Sequence, residues 1–160
     1  MRESSVFAAI AAALLMTEAA ATSRQSAENE QAGPRLYRVI LPAKDVAATA
    51  KWYEDLLQTT GEFVGPNRVY FRAGPVILAL VEPPAGTEAR PNQEYLYFAV
   101  KDLLPYHERA ARLKALDAEM GKVERRPWGE VSFYARDPLG NPLCFVDEKT
   151  LFTGRRTSGR

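Results

Sequence analysis

A repeat constrains this chain more than any other feature. A shift of 57 residues, which carries Arg38 onto Tyr95, lays Lys44-Asp45 on Lys101-Asp102 without a gap. The same shift places Val39 and Leu41 on Leu96 and Phe98. Each copy opens with a β-prone run, residues 36–41 in one and 94–100 in the other. Each run then leads into a helix, with Asp45 or Asp102 as the N-cap that accepts an orphan backbone N–H. Pro105 falls in the first turn of the second helix, where it is tolerated. Internal similarity of this kind is the sign of a duplicated unit.

The rest of each copy follows the same plan. Val46, Ala50, Tyr53 and Leu57 form one apolar helix stripe, and Leu103, Tyr106, Ala110 and Leu113 form the other. Short strand candidates follow each helix: 62–64, 67–72 and 76–82 in the first copy, 122–125, 130–136 and 142–147 in the second. Gly65-Pro66, Gly74-Pro75, Pro127, Gly129 and residues 138–141 punctuate them, and the Pro-rich stretch 83–91 is a hinge. The pattern is βαβββ twice. It predicts an α+β fold of paired modules, 36–82 and 94–148, within a single domain over 35–148. Each sheet takes its helix on one face. The opposite faces curve toward a central cleft, giving a half-open, barrel-like sheet.

Composition bounds the partners. With 160 residues and 46% hydrophobic content, the chain is long enough for one sizeable core. A net charge of +1 argues against nucleic acid, which demands a basic surface. The basic tail, 149–160, reads as a frayed end. Residues 22–34 are rich in Ser, Gln, Glu, Ala and Gly and read as a linker, so 1–34 is a disordered or signal-like extension. The apolar run 6–16 is too short to span a bilayer, so no membrane partner is expected. Two readings of it stand: a signal peptide for export, weakened by Glu3 and Glu18, or a cytoplasmic protein whose translation starts at Met16. The lone Cys144 allows no intrachain disulfide and, set inside an apolar strand, reads as a small buried hydrophobe. The lone His107 allows no site built on two imidazoles. His107 is expected on the outer flank of the second helix, partly exposed.

The second copy closes with a strand, a tight Asp137-Pro138-Leu139-Gly140-Asn141 turn and a further strand. Together with the repeat and the βαβββ order, this turn resembles the vicinal oxygen chelate superfamily of glyoxalases, bleomycin-resistance proteins and extradiol dioxygenases. The resemblance covers about residues 36–148. Metal-using members place His or Glu on the first and last strands of both units. Carried onto this chain, those positions are Arg38, Leu78, Tyr95 and Cys144, the Leu78 match depending on a strand register that can slip by one. None of the four is His, Asp or Glu. First-row divalent metals want imidazole, carboxylate or thiolate, and a guanidinium repels a cation. The expectation is therefore a cleft without a metal or other cofactor.

Strand alternation turns Arg38, Ile40, Tyr95, Tyr97 and Cys144 into that cleft. A guanidinium among phenols suits a small, flat or anionic molecule, since Arg forks onto carboxylate or phosphate oxygens. Trp128 and Glu130, flanking Gly129, line the cleft mouth in the resemblance. Trp128 either stacks on a ligand or anchors packing. Glu130 is a general base only where burial raises its pKa. A plainer alternative pairs Arg38 with an acid such as Glu130 and lets the tyrosines fill the core. Two functional classes compete: a module binding a small neutral or anionic organic molecule, and a metal-independent lyase- or isomerase-type enzyme using Arg38 with Tyr95 or Glu130. Superfamily members of this size often pair, and a homodimer is a further expectation the resemblance carries.

Overall fold

Alternation builds the first strand, β1 (Arg38–Pro42), whose Leu41 is buried while Ile40 on the other face is 55% exposed. The computed structural model of the chain describes residues 35–151, so the N-terminal extension and residues 152–160 lie outside the described residues. Residues 37–151 belong to one compact unit. After β1 come α1 (Val46–Leu57), β2 (Glu62–Gly65), β3 (Arg68–Ala73) and β4 (Val76–Val81). The second copy supplies β5 (Leu96–Val100), α2 (Leu103–Arg112), β6 (Glu124–Arg125), β7 (Val131–Arg136) and β8 (Pro142–Asp147), followed by a short 3-10 turn at Glu148–Thr150. The order is βαβββ twice. Among the described residues no helix is long and apolar enough to cross a membrane.

Both helices start where the repeat places them. The Asp45 carboxylate accepts the Ala48 N–H at 2.9 Å, and Asp102 accepts that of Leu104 at 3.0 Å. Gln58 closes α1 in a left-handed conformation (φ 54°), its N–H bonding the Glu54 carbonyl. The sheets are open and four-stranded, ordered β1-β4-β3-β2 and β5-β8-β7-β6. In each, the first and last strands of the module pair in parallel and the remaining pairs are antiparallel. Leu41, Val69, Phe71, Leu78 and Leu80 meet α1, and Leu143, Phe133 and Phe145 meet α2, in one cluster spanning both modules. Phe98, Phe145 and Phe133 stack across the second sheet with centroids 5.2 and 5.0 Å apart. Fully burying side chains of this kind stabilises by about 1.5–3 kcal/mol each.

His107 is a partly exposed residue of α2, and it also has partners. Its ring is half-buried, set edge-on to Phe133 at 5.1 Å, and its Nε2 lies 3.0 Å from the Gly121 carbonyl oxygen. The reason is the longer connection of the second module, which folds back under α2 and gives the imidazole a backbone partner. The same connection shortens β6. Ala115, Asp117 and Met120 take up the free edge of β7, through bonds from Arg136 N–H to Ala115 and from Asp117 N–H to Tyr134, and from Tyr134 N–H to Met120. Only Glu124 and Arg125 remain to pair as a strand.

The modules are tied by the Asp137–Asn141 turn. Asp137 Oδ1 accepts the N–H groups of Leu139, Gly140 and Asn141 at 2.9–3.0 Å. Its Oδ2 accepts the Tyr53 hydroxyl of α1 at 3.1 Å and the Asn141 amide at 2.7 Å. Asn141 is fully buried and also donates to the Pro42 carbonyl of β1 at 3.0 Å. Its Oδ1 accepts the Asn92 N–H at 2.8 Å, and the Asn92 amide reaches the Ile40 carbonyl at 3.2 Å. Gly140 adopts φ +99°, a conformation that a side chain would strain. Burial, with the Asp137 charge beside it, raises the Tyr53 hydroxyl well above its ordinary pKa, so it stays a donor.

Two expectations follow for stability. Asn141→Ala strands the Pro42 carbonyl and the Asn92 N–H, and urea unfolding should register a loss of roughly 3 kcal/mol, with Tyr53→Phe costing about half as much. The second concerns acid. The Asp117 carboxyl is held below the ordinary carboxylate value, foremost by the Met120 N–H and further by the Glu119 N–H and Arg136, against an opposing effect of burial. A depressed folded pKa contributes stability above the unfolded value and loses it as pH falls through the folded one. Between about pH 5 and pH 2 the melting temperature of the native chain should therefore fall more steeply than that of Asp117→Asn.

Candidate functional site

The face of each sheet turned away from its helix carries the candidate chemistry. In the first sheet the pairings lay out three rows: Arg38–Ile77–Arg72, then Ile40–Ala79–Tyr70–Glu62, then Pro42–Val81–Arg68. The Arg38 guanidinium carbon sits 4.5 Å from the Tyr70 ring centroid and 5.1 Å from that of Tyr37. One terminal nitrogen lies 3.4 Å from the Tyr37 hydroxyl. Its Nε is buried without an acceptor. Arg38 takes part in none of the ion pairs among the described residues.

Leu78 does not reach this face. It pairs with Val39 and is buried under α1, because β4 is one residue out of the register assumed from sequence. A one-residue slip exchanges the faces of a strand. Ala79, paired with Ile40, stands where Cys144 stands in the second sheet, paired with Tyr97.

In the second sheet Tyr97, Cys144 and Tyr134 form one row. The Tyr95 ring meets Tyr134 edge-on at 4.9 Å and Tyr97 at 6.4 Å. Cys144 points to this face and is fully buried, packed with Tyr134, Val146, Tyr95 and Met120. It is a floor residue beneath the surface. Burial, against the lowering effect of bonds with Tyr134 and Ser132, pushes its thiol up to about 11. Burial and then the Tyr97 bond raise the Tyr134 phenol as well. Arg126 secures this floor: its guanidinium donates to Ser132 Oγ at 3.0 Å and to the Ser132, Met120 and Lys122 carbonyls at 3.1–3.3 Å. It also pairs with Glu124 and lies 4.8 Å from the Tyr134 centroid.

Trp128 and Glu130 belong to the β6–β7 hairpin, where Gly129 takes φ +103°. Trp128 is 58% exposed and donates its indole N–H to Glu130 Oε2 at 2.9 Å. The expected residues thus fall into three groups: Arg38 with Ile40, Tyr95 with Tyr97 and Cys144, and Trp128 with Glu130. Among the described residues no hydrogen bond, ion pair or ring contact joins Arg38 to Tyr95. Sequence reading passed over Tyr70, Arg68 and Arg72. Their signal was present: in β3 they alternate with the buried Val69 and Phe71. It also passed over Tyr134 and Arg126, whose places depend on the folded-back connection.

The positions that the resemblance gives to a metal, corrected for register, are Arg38, Ala79, Tyr95 and Cys144. A guanidinium, a methyl, a phenol and a protonated buried thiol do not fit a divalent ion. Among the described residues no group of three or more His, Cys, Asp or Glu converges.

The family model of the Glyoxalase/Bleomycin resistance protein/Dioxygenase superfamily matches residues 35–145. The chain belongs to this superfamily. Solved structures agree on the fold. Lactoylglutathione lyase from Agrobacterium tumefaciens superposes with a TM-score of 0.58 at 23% identity, covering 73% of this chain and 96% of that one. A glyoxalase/bleomycin resistance protein from Albidiferax ferrireducens gives 0.61 at 20% identity, covering 70% and 97%. A bleomycin resistance determinant encoded on transposon Tn5 gives 0.56 at 20% identity, covering 72% and 99%. No curated protein sequence matches the chain.

Within this superfamily domain the sealed thiol has a direct consequence. With no exposed surface and a pKa near 11, Cys144 should resist Ellman's reagent at pH 8 in the native protein and react with one equivalent in urea. Rapid native labelling would mean that Tyr95, Tyr134 and Met120 do not cover it.

Proposed function

We propose that this glyoxalase/bleomycin-resistance-type domain binds a small neutral or anionic organic molecule, without a metal, on the face that displays Arg38. The observation that carries the reading is the state of that side chain. Its guanidinium carbon lies 4.5 Å from the Tyr70 ring centroid, its Nε is buried with no acceptor among the described residues, and no described carboxylate forms an ion pair with it. A buried donor left unpaired costs about 1–3 kcal/mol, which a ligand oxygen would relieve. The aromatic faces beside it suit a planar group, and the exposed Ile40 and Tyr97 suit the apolar part of a ligand or the second copy of a homodimer.

Binding is better supported than proton transfer. Acid–base catalysts work best with pKa values near the operating pH. Here the Tyr134 phenol and the Cys144 thiol are both pushed away from neutrality by burial. The Glu130 carboxylate accepts the Trp128 indole N–H. A small-molecule panel screened by thermal shift on the full chain, with calorimetry on the hits, tests the proposal. Arg38→Ala should weaken the best ligand about 10- to 100-fold, the worth of a charge-assisted hydrogen bond, and EDTA should leave the affinity unchanged. Equal affinity for both proteins removes Arg38 from the site, and a stoichiometric divalent ion required for binding removes the metal-free reading.

A further inference from the structure

The two sheets treat their arginines in opposite ways. On the second sheet Arg126 is saturated, with four hydrogen bonds to Ser132, Met120 and Lys122 and an ion pair to Glu124. On the first sheet Arg38, Arg68 and Arg72 share the outer face, and none of them pairs with a described acid. Arg68 repeats the peculiarity of Arg38: its Nε is buried and has no acceptor. These two are the buried side-chain nitrogens without a partner among the described residues, and they lie on either side of Tyr70.

Their spacing decides what they can hold together. Arg38 and Arg68 stand two strands and four residues apart, on the order of 16 Å between Cα atoms for ordinary sheet spacings. Arg38 leans toward the middle of this gap, since its guanidinium covers Tyr70, the residue two positions from Arg68 on the same face. Two linked anionic groups span a gap of this size, one at each guanidinium, with the connecting chain lying over Tyr70 and the small, buried Ala79 beside it. Glu62 is the acid placed in the same rows, paired with Tyr70, so the three arginines leave this face cationic.

We infer that the ligand of this face is a small dicarboxylate, with Arg38 taking one carboxylate and Arg68 the other. The inference rests on the reading that Arg38 contacts the ligand, and adds to it a second anchor and a ligand class. An arginine kept for a ligand and not for the fold has a further signature: its removal leaves the empty protein as stable as before, because no internal bond is lost.

Calorimetry with succinate, adipate, suberate and the monocarboxylate hexanoate, at constant ionic strength, tests this on the full chain. At least one dicarboxylate should bind ten times or more tighter than hexanoate. Arg68→Met, which keeps the apolar stem, should weaken that dicarboxylate at least tenfold and hexanoate far less. Arg38→Ala should weaken both. The melting temperature of ligand-free Arg68→Met should equal or exceed that of the native chain. The dicarboxylate inference is overturned if none of the three diacids binds, if hexanoate binds as tightly, or if Arg68→Met leaves the preferred diacid unaffected. It is overturned equally if Arg68→Met melts well below the native protein, which would make Arg68 structural. An Arg38→Ala protein that binds hexanoate undiminished would instead overturn the reading of Arg38 on which the inference rests.

Discussion

A single buried carboxylate holds the two halves of this protein in register. Asp137 accepts five hydrogen bonds, three from its own turn, one from the Asn141 amide and one from Tyr53 in the other module. A carboxylate can do this because it is an acceptor at every lone pair, and burial without those donors would be costly. Asn141 completes the link, since its amide both donates and accepts and so reaches Pro42 in β1 and Asn92 before β5. Duplicated modules have no intrinsic reason to sit at one fixed angle. The turn supplies that reason, and the shared core between α1 and α2 forms around it, with Arg109 of α2 donating to the Leu56 carbonyl at the end of α1.

Duplication then gave way to divergence. Eleven residues separate α2 from β6, whereas four separate α1 from β2. The longer connection runs beside β7, brings Met120 over the outer face, and supplies the carbonyls that Arg126 bonds. The second sheet therefore closes on itself, burying Ser132, Tyr134, Cys144 and Val146. Without such a cover the first sheet leaves Ile40 exposed, and no described acid pairs with its arginines. One module is packed on both faces, and the other leaves Ile40 exposed on its outer face.

Much of the architecture was legible in the sequence because its causes are local. The aspartate caps, the helix stripes through Val46, Ala50 and Tyr53, and the Gly and Pro breaks each act within a few residues. The 57-residue shift then doubled every signal. Arg38 and Ile40 reached the outer face because alternation alone places them there. Leu78 went astray because a strand's face depends on pairing register, which its neighbours set. His107 and Cys144 lie where the sequence placed them, on the second helix and inside an apolar strand, but their partners were not legible. Their surroundings come from the 113–123 connection, whose path no local pattern encodes.

By itself, then, the sequence determined which segments become helix or strand, that they form two copies of one unit, and which residues alternate outward. Periodicity and capping are properties of contiguous residues, so they survive in the linear text. Only the tertiary structure decided which outward face is sealed and which stays open. It also decided that Arg126 is satisfied while Arg38 and Arg68 are not, and that Cys144 is floor. Those outcomes depend on the partners that chain closure brings to a side chain, and sequence neighbours do not specify them.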